Sequence, residues 1–369
     1  MQIMQAMQER DFEQVIFCQD KDSNLKAVIA IHSTALGPAL GGTRMCSYGT
    51  EQEALEDALR LAKGMSYKAA VAGLPKGGGK GVIIGDPEQD KSQELFQAYG
   101  RFIDRLHGWY ITAEDAGTCP EDMDCIRTCT SCVLGTSQSG GDPSPWTALG
   151  VRQGMQASLK YLTGSADLQG KTVAVQGAGH VGRNLCRLLT QDGAKLLVAD
   201  IRQDRARQVA EEFGAQLIPA QEILQTACDI LAPCALGGVI NNSTLPGLKC
   251  SIIAGAANNI LQEPKQDQAL ADMGILYVPD YVINAGGLIC VADQLEGFDQ
   301  ERVHNRVLAI QDTCLEIFDL AQQEGLTPAK AADRVAEERM SQAAAQKSSG
   351  LHQPEHKPLT ASRLKRGSL

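Results

Sequence analysis

The segment from residue 171 to residue 200 restricts the possible fold more than any other. An apolar run at 171–176 leads directly into Gly177-Ala178-Gly179-His180-Val181-Gly182. Residues 183–191 continue with helical character, and a second apolar run at 195–199 ends in Asp200. A glycine triplet with this spacing is weak by itself, and a glycine turn in an unrelated βαβ unit is the plain alternative. Placed between a strand and a helix, with a carboxylate closing the next strand about 23 positions on, it has the context of a dinucleotide-binding unit. The glycines allow a tight turn, a close approach of a pyrophosphate and close packing of helix on sheet. The helix start adds unpaired N–H groups and a partial positive charge.

Asp200 speaks to the nucleotide. A carboxylate there accepts hydrogen bonds from both ribose hydroxyls and repels a 2′-phosphate, which favours NAD over NADP. Arg202 and Arg205 pull the other way, because a nearby arginine receives that phosphate. Further short apolar runs at 229–231, 251–254 and 275–278 alternate with helical segments, which implies a parallel sheet. After two of them come amide-bearing loops, Gly255-Ala256-Ala257-Asn258-Asn259 and Asn284-Ala285-Gly286-Gly287. Ligands of open α/β sheets bind outside the carboxyl ends of the strands, so these asparagines are candidates to face a ligand; the plain alternative is loop-stabilising hydrogen bonding.

The first half is organised differently, around residues 68–86. Three lysines, Lys68, Lys76 and Lys80, stand there among six glycines, ahead of a short buried strand at 82–84. Glycines let the backbone approach a ligand and adopt positive φ without steric cost. Lysines that are poorly solvated and close together have depressed pKa values, and that makes a lysine base near neutral pH. A Gly-rich surface loop with solvated lysines is the alternative. A Walker phosphate loop does not fit, because Gly81 follows Lys80 where Ser or Thr is needed. The stretch 110–113 reads as a strand, and Glu114-Asp115-Ala116-Gly117-Thr118 as the loop after it. Asp115 can therefore point into a cleft or merely cap a turn.

Around this lie two strands, at 14–18 and 27–32, forming a hairpin or adjacent pair across a polar turn at 20–24. Helices are expected at 51–68, 92–106, 146–162 and 303–324, with a further one at 328–340. The Gly/Ser/Pro/Asp segment 137–145 is the clearest boundary. The expected organisation is a substrate and oligomerisation domain at 1–143, a nucleotide domain at 144–324, and residues 325–340 folding back onto the first. From 341 to 369 the Ala/Gln/Ser/Lys-rich composition reads as a disordered tail.

The net charge of −10 argues against a general nucleic-acid binder. No apolar run is long enough for a membrane span, and the polar start has no secretion signal. Twelve cysteines are scattered through the chain and read as reduced core residues of a cytoplasmic protein. Cys125, Cys129 and Cys132 have a spacing that could hold an iron–sulfur cluster. The same spacing puts three small side chains on one face of a helix at 121–132, the preferred reading, with no metal expected.

The motifs GPALGGTRM (37–45), KGMSYKAAVAGLPKGGGKGVIIGDP (63–87), YITAEDAGT (110–118), GDPSPWTALG (141–150), VAVQGAGHVG (173–182), APCALGG (232–238), AGAANN (254–259) and PDYVINAGGLI (279–289) together resemble the glutamate/leucine/phenylalanine/valine dehydrogenases, most closely the leucine dehydrogenase branch. The likeness runs over about residues 10–340. It implies an α/β fold of two domains around a cleft, one a Rossmann-type doubly wound NAD-binding domain and the other an N-terminal α/β substrate domain. It also implies a homo-oligomer, commonly an octamer, acting on a small L-amino acid.

The reaction so implied is reversible oxidative deamination: an L-amino acid, NAD and water give the 2-oxo acid, ammonia and NADH. By position, Lys68 matches the lysine that binds the substrate carboxylate, Lys80 the catalytic lysine that activates water, and Asp115 the acidic proton relay. Thr147, Asn259 and Asn284 match positions near the nicotinamide, with Asn258 beside them. Leu40, Gly41, Ala113, Val291 and Gln294 match an apolar side-chain cup. Ala113 with Leu40 leans towards leucine, isoleucine and valine, and one methyl separates such substrates by only about 1–3 kcal/mol. Trp146 and Gln294 are unusual against the leucine branch, and Lys76 adds a positive charge near the catalytic lysine. An aromatic or valine dehydrogenase of the same family, and a non-catalytic NAD-binding sensor, are the alternatives.

Overall fold

In a computed structural model of the chain, residues 2–138 and 141–348 are described. They divide into two compact units, one formed by residues up to Gly141 and from Ala336 onward, the other by Asp142–Val335.

The first unit begins with helix α1 (Ile3–Glu9) and the strands β1 (Gln14–Asp20) and β2 (Leu25–Ser33), paired antiparallel as a hairpin. Asp20 accepts from the backbone and hydroxyl of Ser23 to close the turn, and Asn24 takes the positive φ of 55° that the reversal needs. The short strands β3 (Ala39–Leu40) and β4 (Thr43–Cys46) follow. Helix α2 (Glu51–Val71) starts where the Thr50 side chain accepts from the Glu53 amide, with Glu51 and Glu53 in its first turn. Then come β5 (Gly77–Ile84), α3 (Gln93–Asp104), capped by Ser92, β6 (Tyr110–Ile111) and α4 (Pro120–Arg127).

The sheet order is β1-β2-β5-β3-β6, with β4 also paired to β5. β5 is central: antiparallel to β2 on one side, parallel to β3 and β4 on the other. The core under α2 is built from Ala54, Leu55, Ala58, Leu59 and Ala62 against Val28, Ala30 and Val82. The alanines at helical spacing let the helix approach the sheet closely.

The second unit opens with α5 (Ser144–Thr163), stopped by Gly164 in the left-handed conformation. It continues through β7 (Thr172–Gln176), α6 (His180–Gln191), β8 (Lys195–Ala199), α7 (Gln203–Phe213), β9 (Gln216–Leu217), β10 (Ile230–Pro233) and β11 (Ile252–Ile253). After these come α8 (Lys265–Asp272), β12 (Leu276–Tyr277), α9 (Asp280–Ile283), α10 (Gly286–Asp293), α11 (Gln300–Leu308), α12 (Ile310–Glu324) and α13 (Pro328–Ser348). Its sheet, β12-β11-β10-β7-β8-β9, is parallel at every pairing. The order reverses direction beside β7, which puts the α6 loop at the switch point where open α/β sheets hold ligands. Among the described residues no helix is long and apolar enough to cross a membrane.

Several expectations are corrected. The helix expected across 303–324 is two, broken at Ala309. The helix carrying Cys125 ends at Arg127, where the Thr128 hydroxyl binds the Cys125 carbonyl, so Cys129 and Cys132 do not share its face. No group of residues suited to a metal ion exists among those described, and all twelve cysteines are free. Five of these cysteines are buried; the other seven are half-buried, and of those Cys228 and Cys250 pack against the core of the second unit.

The tail also differs. Residues 341–348 continue α13, an Ala/Gln/Lys stretch of good helix formers. The α13 end that belongs to the first unit is tied there: Tyr67 donates to Glu337 at 2.7 Å, Arg339 donates to the carbonyls of Ala70 and Val71, and Lys347 to that of Thr34. Arg339 thereby adds a donor to the carbonyl end of α2, where the Ala70 carbonyl also accepts from the Gly73 amide. The remainder of the expected disordered tail, 349–369, lies outside the described residues.

Candidate active site

The run of glycines forms the first part of strand β5, which continues into the strand expected at 82–84. None of Gly77, Gly78, Gly79 or Gly81 has positive φ, so backbone freedom is not what they supply. Successive positions of a strand face opposite ways. On the α2 side, a Cβ on Gly78 would lie 2.0 Å from the amide nitrogen of Ser66. On the other side, a Cβ on Gly79 would lie 2.8 Å from the Tyr110 ring, and one on Gly81 1.9 Å from the Tyr99 hydroxyl. The strand is clamped on both faces, and Lys80 is the residue in this run with a side chain.

Lys80 is only 4% exposed. Its Nζ lies 2.8 Å from Oδ2 of Asp115, on the loop after β6. That loop is pinned by Thr118: its amide donates to the Asp115 carbonyl, and its hydroxyl accepts from the Asp115 amide and donates to the Thr43 carbonyl. Arg44, on β4, also reaches the Asp115 Oδ2 through Nε at 3.1 Å, and through Nη1 it binds Asp57 of α2 at 2.9 Å. Asp57 in turn accepts from Arg60 and from the Tyr48 hydroxyl.

The electrostatics follow from burial and these partners. Desolvation pushes the Lys80 amine down, the Asp115 charge and hydrogen bond pull it back up, and Arg44 pushes it down again; the net shift is downward. For Asp115, burial would raise the carboxyl, but Lys80 and then Arg44 outweigh it and hold it below the ordinary carboxylate range. Arg44 is a cation that lowers the Lys80 amine, and the sequence alone had not singled it out.

Lys68 is half-buried in the last turn of α2, and Lys76 is half-buried before β5. Leu40 is buried at the register position opposite Gly78 and Ile111. Gly41 is so close to β5 that a Cβ there would meet the Gly79 carbonyl at 1.7 Å, and its own carbonyl accepts from the Tyr110 hydroxyl. Ala113 is half-buried and its carbonyl accepts from the Thr43 amide. Lys80, Asp115, Leu40, Gly41 and Ala113 thus belong to neighbouring strands and loops of one sheet.

The other candidates lie in the second unit. Gly177 has φ of 105° and no room for a Cβ beside Ala235, while a Cβ on Gly182 would be 1.9 Å from the Gly177 carbonyl. Gly179 faces open space, and the α6 start carries no side-chain cap. The free amides there border a cavity of about 470 Å³ lined by Asp142, Gly179, His180, Arg183, Asn184 and Arg205, among others. Val181 is half-buried, and exposed His180 sits 3.4 Å from Asp142. Asp200, at the end of β8, accepts from the amides of Ala178 and Arg202. An uncapped helix start, a glycine cradle and a carboxylate at the neighbouring strand end fit a dinucleotide. Arg202 is paired with Asp204.

Asn284 is buried and donates to the Ala256 carbonyl and, at 2.8 Å, to the side chain of Asn258. Asn259 is exposed, at φ of 53°. Thr147 donates to the Pro143 carbonyl and stands where a Cβ on Gly287 would touch it. Val291 is half-buried one turn beyond Gly287 on α10. Trp146 packs edge-on against His304, and the Gln294 Oε1 is buried without a hydrogen-bond partner among the described residues.

Sequence reasoning missed Arg44, Asp57 and the buried Asp293, which accepts from Arg302 and Arg306. Arg44 stands inside the GGTRM motif, a signal that was present but did not reveal its partners.

Known proteins bear on these two clusters. Residues 12–131 match the Glu/Leu/Phe/Val dehydrogenase dimerisation domain, and residues 142–202 and 197–348 match the Glutamate/Leucine/Phenylalanine/Valine dehydrogenase domain. A leucine dehydrogenase of Geobacillus stearothermophilus is 54% identical over 92% of this chain and 94% of its own. A valine dehydrogenase of Streptomyces albus is 51% identical over 91% of this chain and 94% of its own. The crystal structure of L-tryptophan dehydrogenase from Nostoc punctiforme superposes with a TM-score of 0.85 at 47% identity, covering 92% of this chain and 99% of that one. With a buried, acid-paired lysine on one sheet and a glycine cradle at the switch point of the other, the chain belongs to the glutamate/leucine/phenylalanine/valine dehydrogenase family.

Proposed function

We propose that this chain is an NAD-dependent dehydrogenase of L-leucine and other branched-chain L-amino acids, producing the 2-oxo acid and ammonia reversibly. The observation that carries the reading is Lys80: buried, 2.8 Å from Asp115, and shifted towards the neutral amine. A lysine that is to take a proton near neutral pH needs that environment.

In this reading Gly177–Gly182 and Asp200 hold the cofactor, and NAD is favoured because a carboxylate ends β8. Bound there, NAD supplies the acceptor for the hydride that leaves the substrate. Lys68 holds the substrate carboxylate as a point charge. Lys80 Nζ takes a proton from the water that adds at the substrate carbon bearing nitrogen, and Asp115 keeps Nζ in place and exchanges protons with the amino group. Leu40, Gly41, Ala113 and Val291 form the side-chain cup, and Thr147, Asn258, Asn259 and Asn284 orient the reacting ends. A cytoplasmic homo-oligomer, an octamer, is part of the proposal; light scattering of the purified chain tests its assembly.

The test of activity is formation of reduced cofactor from L-leucine at alkaline pH. Lys80→Ala should abolish turnover and leave NAD binding within about twofold, since the glycine cradle belongs to the other unit. The 47% identity to an L-tryptophan dehydrogenase favours one second reading, an aromatic preference. Turnover of tryptophan or phenylalanine without turnover of aliphatic amino acids would select it. NAD binding with no turnover of any amino acid would leave a non-catalytic sensor.

A further inference from the structure

Arg44 and Asp57 have no part in the reaction as described, yet their chain of contacts ends on the base. Oδ2 of Asp115 carries two cationic donors, Lys80 Nζ at 2.8 Å and Arg44 Nε at 3.1 Å. Because both touch one oxygen, the two nitrogens lie within about 6 Å of each other. Arg44 is itself held by Asp57, which Arg60 and Tyr48 fix from the far side.

The consequence concerns what happens when Lys80 loses its proton. Without Arg44, that step would leave a half-buried carboxylate facing a neutral amine, at a high cost in desolvation. With Arg44 in place the Asp115 charge stays compensated in both protonation states of Lys80. Arg44 also repels the ammonium form directly. We propose that Arg44 is a positioning residue which keeps Asp115 ionised and oriented while Lys80 is neutral, so that the lysine can act as a base.

The charged groups acting most strongly on Lys80 are Asp115 from the loop after β6, Arg44 from β4 and Asp57 from α2, the last also bound by Arg60 of the same helix; β2 places Ala30 opposite it. Arg44 favours the neutral amine, whereas Asp115 and Asp57 favour the ammonium. Removing Arg44 and removing Asp57 should therefore act in opposite directions.

The inference rests on the lysine-base reading, and the experiment separates the two. The pH profile of kcat/KM for L-leucine is measured for the full chain and for Arg44→Gln, Arg44→Lys and Asp57→Asn. In oxidative deamination the acidic limb reports Lys80 losing its proton. Two charges about 6 Å apart interact so that Arg44→Gln should move this limb up by between about half a pH unit and two units, with recovery at high pH. Arg44→Lys should keep the limb within about 0.3 unit of the parent, because it restores the charge. Asp57→Asn should move it down, and supplies the test if Arg44→Gln does not fold. A uniform loss at every pH with an unmoved limb would assign Arg44 a merely structural role and overturn the proposal, as would equal upward shifts for the Gln and Lys variants. If Lys80→Ala keeps its turnover and the same limb, the base reading itself has failed. If Lys80→Ala is dead and the Arg44 and Asp57 limbs stay put, only this inference has failed.

Discussion

Replacing Gly78 by alanine tests whether the glycines of β5 exist for close packing. Its Cβ would stand 2.0 Å from the Ser66 nitrogen, 2.5 Å from its Cα and 2.4 Å from its hydroxyl. Two of these three atoms are α2 backbone, and the hydroxyl is fixed 2.8 Å from Nδ1 of buried His32, so no flexible end can yield. Alanine gains roughly 0.5–1 kcal/mol over glycine from the unfolded chain. Overpacking costs about 1–3 kcal/mol and occasionally more. Since helix and sheet must separate by about 1 Å, the upper end applies, for a net loss of about 2–3 kcal/mol.

Gly64, in the same helix, supplies the control. It has nothing within 4 Å of a Cβ, and Gly64→Ala should stabilise by about 0.5–1 kcal/mol. The assay is urea unfolding followed by far-UV circular dichroism for both variants, with kcat/KM on L-leucine beside it. A displacement of about 1 Å between α2, with Lys68, and β5, with Lys80, should lower kcat/KM by about 100-fold. NAD affinity should hold, because the glycine cradle belongs to the other unit. Should Gly78→Ala prove as stable as the parent, or Gly64→Ala the more damaging of the two, the close-packing account of β5 is wrong.

Two further outcomes follow from the second unit. Asp293 is fully buried at the end of α10 and accepts from the Asp299 amide and from Arg302 and Arg306. Asp293→Asn should therefore cost about 2 kcal/mol in urea unfolding and raise KM for leucine; an unchanged midpoint would show the cluster to be decorative. The Oε1 of Gln294, buried without a partner among the described residues, predicts that Gln294→Val gains about 1 kcal/mol and turns over leucine and valine more efficiently relative to threonine; a lower unfolding midpoint would contradict this.

What could be read from the chain had a local pattern behind it. The βαβ unit ending in Asp200, the β1–β2 hairpin and α2 each follow from periodicity or turn chemistry within a short window. The break at Ala309 carries no glycine or proline and has no such signal. The glycine half of β5 was hidden because glycine is a poor strand former, and a glycine run reads as a loop unless the crowding on both its faces is known. Arg44 and Asp57 were hidden for a related reason. Their partners depend on β4 pairing with β5, a register between Thr43 and Gly81 that spans the whole of α2. A pairing so distant leaves no spacing to recognise.

The setting of Lys80 explains why a strand, rather than a loop, carries the base in the proposed reaction. A lysine on a glycine loop would be hydrated, and its amine would stay near its ordinary range. In the centre of a sheet, with Ala30 opposite and both faces closed by Ser66, Tyr110 and Tyr99, desolvation is imposed by the fold itself. Burial alone, however, would leave the amine with nothing to orient it. Asp115 supplies the orientation at the cost of favouring the ammonium, and Arg44 takes back part of that preference from the same oxygen. Three groups on three different segments are then needed to hold one proton loosely, and the glycines are what let those segments come close enough to share it.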